Sequence, residues 1–220
     1  MFQRLLRALR GPPQVLEQTL DVAGEVTLRV DLRPHRHLDP FTATGRTVWP
    51  ATAVLANYLS APEQRLRLAG QNVIELGAGM GLVGMAAAAL GARAVCLTDR
   101  RIPFQQHVDP FADYVFSEDG DHTCAPHGDG NDHLIQALRR NVAENIGAIT
   151  TSAHRLVLSP APVEITVEEL AFGDSMQLAA LLKRRGPFGV VLGSDITYFR
   201  PALPELVATL RQLSDAARRP

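Results

Sequence analysis

The chain has 220 residues, 46% of them hydrophobic and 20% charged, and a formal net charge of -1. That suits one ordinary globular domain with a sizeable core and is short for two. Near-neutral charge offers no field for nucleic acid, and no apolar run reaches membrane-spanning length, so neither nucleic acid nor a bilayer is an expected partner.

The opening stretch MFQRLLRALRGPP carries Arg4, Arg7 and Arg10 before any acid. It reads either as a short organelle presequence or as an amphipathic helix stopped by Gly11, Pro12 and Pro13. Val15 to Leu20 and Glu25 to Leu32 alternate apolar and polar residues about Ala23-Gly24, which predicts a hairpin with one buried face. TVWPATAVLANYL predicts a helix opened near Pro50. From Asn72 the rhythm becomes strand and helix in turn: a strand over Asn72 to Leu76, a helix over Leu82 to Leu90 ended by Gly91, and a strand over Ala94 to Thr98.

Arg100 to Gly130 shows no period and is rich in Pro, Gly, Asp and His, and reads as an insertion. A helix resumes behind Asn131 and Asp132 with Leu134, Ile135, Leu138 and Val142 on one face and Gly147 at its end. Then come a strand over Val163 to Glu168, a helix over Met176 to Arg185, a strand over Gly189 to Ser194 and a helix over Ala202 to Leu213. This alternation predicts a parallel sheet with helices on both faces. The whole of 1–220 is expected to be one domain, with 1–40 as an N-terminal extension and 100–130 as the insertion.

His107, His122, Cys124, His127 and His133 fall in or beside that insertion, but their spacings form no close ligand doublets, so no metal site is expected. Cys96 and Cys124 are the two cysteines. They make no disulfide framework and suit a reducing compartment, the cytoplasm first, with nucleus and mitochondrion open.

The most informative stretch is NVIELGAGMGLVG, which places Gly77, Gly79, Gly81 and Gly84 directly behind an apolar strand. A loop of this kind lets a ligand approach bare backbone at a helix N-terminus. Gly79-x-Gly81-x-x-Gly84 satisfies the letters of the dinucleotide fingerprint, and Asp99 follows at about the spacing of a ribose-binding acid. Register argues against a nicotinamide oxidoreductase. The strand ends at Leu76, so the tight-turn glycine is Gly77, and the third-glycine position counted from it is Leu82, which would hinder close helix packing. The pattern that fits the strand end is Glu75, Gly77, Gly79, Gly81. An acid there is a poor neighbour for pyrophosphate but suits a cofactor that brings an amine and a sulfonium, S-adenosylmethionine. Asp99 ends the next strand, placed to accept from both ribose hydroxyls. Glu75 or Asp99 taken singly also has a plain reading as a solvated strand-end acid.

The segments TGRTVWPATAVLANYL, VIELGAGMGLVG, CLTDR, NVAENI and VLGSDITYF together resemble the methyltransferase-like protein lysine methyltransferases, a class I family, over about residues 40 to 213 apart from the insertion. The resemblance implies a Rossmann-like class I methyltransferase sheet, S-adenosyl-L-methionine as cofactor, and a protein substrate such as a chaperone or translation factor. It implies Trp49 beside the cofactor, Gly77, Gly79 and Gly81 around its methionine portion, Glu75 as the acid before them and Asp99 as the ribose acid. Phe172, in LAFGD, stands where the family usually has tryptophan near the adenine, and Ala171 replaces the usual acid, which weakens that site. Asp195 and Tyr198 match the family's Asp-x-x-Tyr, and the same reading sets Asp195 to orient the acceptor amine and Tyr198 to wall it. Their plain alternatives are a helix cap for Asp195 and core places for Tyr198 and Trp49.

Against a seven-stranded fold, strands 5 to 7 are missing after residue 213. The strand at Val190-Val191-Leu192 is then an apolar sheet edge, which a partner or a second copy would cover. Transfer of a methyl group to a protein lysine is the leading expectation; the alternative is a non-catalytic interaction module on the same fold.

Overall fold

The structure is a computed structural model and describes residues 17–31, 48–100, 133–153 and 161–218. Strands β1 (Glu17–Val22) and β2 (Val26–Asp31) form an antiparallel hairpin, with Val22 paired to Val26 across the turn. Ala23 and Gly24 both take positive φ, and Asp21 Oδ1 accepts from the Gly24 amide at 2.9 Å. The alternation in the sequence becomes a buried face of Leu20, Val22, Val26, Leu28 and Val30. Helix α1 (Pro50–Leu59) begins with its proline at the first position, where a missing amide hydrogen does no harm. A second helix, α2 (Pro62–Leu68), follows.

Strand β3 (Asn72–Leu76), helix α3 (Leu82–Ala89), β4 (Ala94–Asp99), α4 (His133–Thr150), β5 (Glu164–Glu169), α5 (Ser175–Arg185), β6 (Val190–Gly193), a short 3-10 turn (Arg200–Ala202) and α6 (Leu203–Ala217) complete the order. The sheet runs β5-β4-β3-β6, and every pairing is parallel. From β3 the chain first builds outward through β4 and β5, then returns to the other side of β3 with β6. The order therefore reverses at β3, and open α/β sheets hold ligands in the crevice above the strand ends at that point.

Each face of the sheet has its own core. On one side Val73, Val95, Leu97 and Leu192 pack with the hairpin and with α1, α3 and α4; on the other Ile74, Leu76 and Cys96 pack with Leu178 and Leu181 of α5 and Leu206 and Leu213 of α6. Helix α3 is buried at every residue. Its small side chains let the sheet, the hairpin and two helices crowd around it.

Two expectations change. Helix α4 does not stop at Gly147 but runs to Thr150; a Cβ at Gly147 would meet nothing within 4 Å, so the glycine is an exposed interior residue and no cap. Helix α2 went unread because seven residues barely cover two turns. The N-terminal arginines, the residues Asn131 and Asp132, and the insertion with His107, His122, Cys124 and His127 lie outside the described residues. Strand β6 borders β3 on one side, and among the described residues no strand pairs with its other edge, where Val191 is exposed. Among those residues no helix is long and apolar enough to cross a membrane.

Candidate functional site

The glycine loop sits at the reversal point. Gly77, Gly79 and Gly81 have φ of 61°, 53° and 85°, in the left-handed region that side chains resist. Its backbone is tied down on several sides: the Ala78 amide donates to the Thr98 carbonyl at 2.8 Å and the Gly81 amide to the Ala78 carbonyl at 2.7 Å. The loop also faces the end of β6. A Cβ on Gly77 would come within 2.8 Å of Ile196 Cγ2 and 3.7 Å of Phe172 Cζ, so three segments far apart in sequence converge here.

Asp99, at the end of β4, is fastened to this loop. Its Oδ2 accepts from the Gly79 amide at 2.8 Å and its Oδ1 from the Arg100 amide at 2.7 Å. Burial raises its pKa and the two amides oppose that rise. Each carboxylate oxygen keeps a further lone pair, so the group can still accept from a diol.

Glu75 is 2% exposed. Its Oε2 accepts from the Gly84 amide at 2.8 Å, beneath the start of α3. Desolvation pushes its pKa up to about 8, the Gly84 amide pulls it down, and the charge of Asp99 adds to the rise. Burial thus favours the protonated form of this carboxyl. The backbone carbonyl of Glu75, within β3, accepts from Thr98 Oγ1 at 2.6 Å.

Beyond β6 the chain bends sharply. A Cβ on Gly193 would meet Ile196 Cδ1 at 2.5 Å, because Ile196 folds back over the strand end. Asp195, between them, takes φ of 53°, an uncommon conformation for a residue with a side chain, and its carboxylate is exposed. Asp195 caps no helix, since the following turn and helix start from Phe199 and Ala202 without side-chain caps. Tyr198 is 64% exposed and Trp49, at the N-cap of α1, 43%, so neither is a core aromatic. Phe172 is half-buried, held by the Gly173 amide donating to Thr209 Oγ1 at 2.8 Å. In LAFGD the acid is a cap: Asp174 accepts from the Met176 and Gln177 amides at the start of α5.

The structure thus brings together Gly77, Gly79, Asp99, Phe172 and the Asp195-Ile196 bend, puts Glu75 under the loop, and leaves Trp49 and Tyr198 exposed. Three participants were not read from the sequence. Gly84 lets α3 lie close on the sheet, a packing role the sequence reading did not assign to it, since a Cβ there would overlap Leu97 Cδ2 and stand 2.6 Å from Glu75 Oε2. Asn141 and Asn145, in the NVAEN stretch, have partners 61 and 116 residues away, which no local pattern announces. Among the described residues no group of His, Cys, Asp and Glu could hold a metal ion.

A parallel sheet with a bare glycine loop at its reversal point, and an acid at the end of the adjoining strand clamped to that loop, defines a Rossmann-like α/β protein. A family profile described as lysine methyltransferase matches residues 37–107. The chain is 31% identical over 167 residues to zebrafish (Danio rerio) protein N-lysine methyltransferase METTL21A, covering 76% of this chain and 54% of that protein. It is 43% identical over 169 residues to mouse (Mus musculus) protein-lysine methyltransferase METTL21E, covering 77% and 51%. To EEF1A lysine methyltransferase 3 of Xenopus tropicalis it is 27% identical over 183 residues, covering 83% and 58%. The chain is similar to methyltransferase-like protein lysine methyltransferases. It spans about half the length of the curated relatives it matches.

Proposed function

We propose that this protein transfers a methyl group from S-adenosylmethionine to a lysine side chain of a protein, within a single domain. The observation that carries the reading is the clamp between Asp99 Oδ2 and the Gly79 amide at 2.8 Å, which sets a half-buried acid against a bare loop at the reversal point of the sheet. The residues fit the cofactor: Asp99 would accept from the ribose hydroxyls, Gly77 and Gly79 would offer bare backbone to the methionine portion, Gly81 would turn the loop into α3 with Leu138 packed where its Cβ would be, and Phe172 offers an aromatic side chain near Gly77. Glu75 would act from beneath the loop, and Trp49 would close the site from the N-cap of α1. When bound, S-adenosylmethionine supplies an electrophilic methyl on a sulfonium.

The protein's own part is positioning. A neutral lysine amine must be held in line with the methyl at near-attack distance, and that placement is the main source of rate. The exposed carboxylate of Asp195 accepts a hydrogen bond from an N–H of the neutral amine and so aims its lone pair. Tyr198 closes on the amine from the side and strips water from it. A translation factor or chaperone is the substrate class we assign, in keeping with the EEF1A named for one relative, and a reducing compartment, the cytoplasm, suits the free, buried thiol of Cys96.

The test is incorporation of labelled methyl from S-adenosylmethionine into lysines of a cell extract by the wild-type chain and by Asp195→Asn. Lysine labelling by the wild type, lost in the variant, supports the reading. Equal labelling by both would remove Asp195 from its role. A folded chain that binds S-adenosylhomocysteine yet labels nothing would leave a non-catalytic binding module.

A further inference from the structure

Two buried amides on α4 join parts of the fold that are distant in sequence. Asn141 Nδ2 donates to the carbonyl of Met80 at 3.1 Å. Met80 stands in the glycine loop between the left-handed Gly79 and Gly81. One helical turn further on, Asn145 grips the backbone of β2 twice: its Oδ1 accepts from the Arg29 amide at 2.8 Å and its Nδ2 donates to the Arg29 carbonyl at 2.6 Å. The same Nδ2 also donates to the Asn141 carbonyl at 2.7 Å. Asn141 is 2% and Asn145 3% exposed. Their spacing of four puts both on one face of the helix.

Burial does not require amides here. Leu138 and Ile149 already anchor α4 in the core that holds the hairpin and α3. What asparagine adds is direction, because a buried amide bonds in few geometries and leaves a costly orphan if its partner moves. The peptide linking Met80 to Gly81 is held at both ends, its carbonyl by Asn141 and its amide by the Ala78 carbonyl at 2.7 Å. The other ties on this loop come from β4, through Thr98 and Asp99. The Asn141 tie reaches it from α4, and through Asn145 from the N-terminal hairpin.

We propose that Asn141 and Asn145 are positioning residues that make the N-terminal hairpin part of the cofactor site. Docking of β2 on α4 fixes the Met80 peptide, and the fixed peptide sets the affinity of the glycine loop for the adenosyl ligand. This inference rests on the cofactor reading proposed above. It gives the hairpin, which touches no reacting group, a measurable effect on cofactor binding.

The experiment titrates the full chain with S-adenosylhomocysteine by calorimetry, using the wild type, Asn141→Leu, Asn145→Asp, the double variant and, as a control on the same helix, Gly147→Ala. Asn141→Leu is expected to raise Kd about tenfold, the effect of losing roughly one buried hydrogen bond. Asn145→Asp turns a donor to the Arg29 carbonyl into an acceptor. It is expected to speed hydrogen exchange at the Arg29 amide and also to raise Kd several-fold, although residue 145 does not reach the loop. The double variant should fall short of the sum of the two, as coupled sites do, and Gly147→Ala should bind like the wild type. Turnover at saturating S-adenosylmethionine should be retained, with the change confined to its KM. A folded Asn141→Leu that binds within twofold of wild type overturns the inference. So does an Asn145→Asp chain with a loosened Arg29 amide and an unchanged Kd, which keeps the test decisive even where Asn141→Leu fails to fold. A wild type that binds no S-adenosylhomocysteine overturns both this inference and the reading beneath it; variants that bind equally well overturn this inference by itself.

Discussion

The same substitution on two helices should have opposite signs. Gly84 and Gly147 both lie inside α-helices, where alanine is favoured over glycine by about 1 kcal/mol. At Gly147 nothing stands within 4 Å of the new Cβ, so that gain is realised. At Gly84 the Cβ overlaps Leu97 Cδ2, stands 2.6 Å from Glu75 Oε2 and 3.2 Å from Val95 Cγ1. Leu97, Glu75 and Val95 are all buried, and none can swing into solvent. Overpacking of this kind costs about 1–3 kcal/mol. Pushing Glu75 off the Gly84 amide costs about 1 kcal/mol more. Set against the helix gain, Gly84→Ala should lose about 1–3 kcal/mol. Urea unfolding reads both: a higher midpoint for Gly147→Ala and a lower one for Gly84→Ala, with the slope unchanged. A Gly84→Ala chain as stable as wild type would mean that α3 does not lie so close on the sheet, and the account of how the loop is seated would fail with it.

Two further outcomes follow from the site. Glu75 has its pKa raised from 4.5 to about 8. Between those values the folded chain holds a proton that the unfolded chain has released, so this group's contribution to stability falls as pH rises, by up to about 1.4 kcal/mol per pH unit, and levels off above about 8. Asp99 is shifted the same way, so Glu75→Gln should be measured against wild type: the variant gains relative stability from about pH 5 to pH 8, and parallel pH curves would refute the buried proton. Asp195→Gly relieves a side chain held at positive φ and should stabilise the chain by roughly 1 kcal/mol while abolishing methyl transfer. A variant that keeps its activity would deny Asp195 the orienting role.

The regular elements were legible because their signals are local. Alternation gave the hairpin, Pro50 the start of α1, and the glycine loop its strand and helix. Helix α4 outran its expected end because the buried Asn145 and Ile149 on either side of Gly147 hold the helix together and offset the glycine's cost of about 1 kcal/mol. In the site, Gly77, Gly79 and Asp99 could be read together since the end of one strand and the end of the next must meet in a parallel sheet. What escaped depends on the third dimension. Gly84 matters for what presses on it from β3 and β4, and Asn141 and Asn145 for a loop and a hairpin that the helix meets only after folding. The burial of Glu75 was also unreadable: a strand-end acid looks solvated until the helix beneath the loop is seen to cover it.

The most direct measurement is a calorimetric titration of the wild type and of Asp99→Ala with S-adenosylhomocysteine and, separately, with NADH. The wild type is expected to bind S-adenosylhomocysteine, Asp99→Ala to lose it, and neither to bind NADH. A folded wild type that ignores S-adenosylhomocysteine, or that binds NADH in its place, would contradict the cofactor reading.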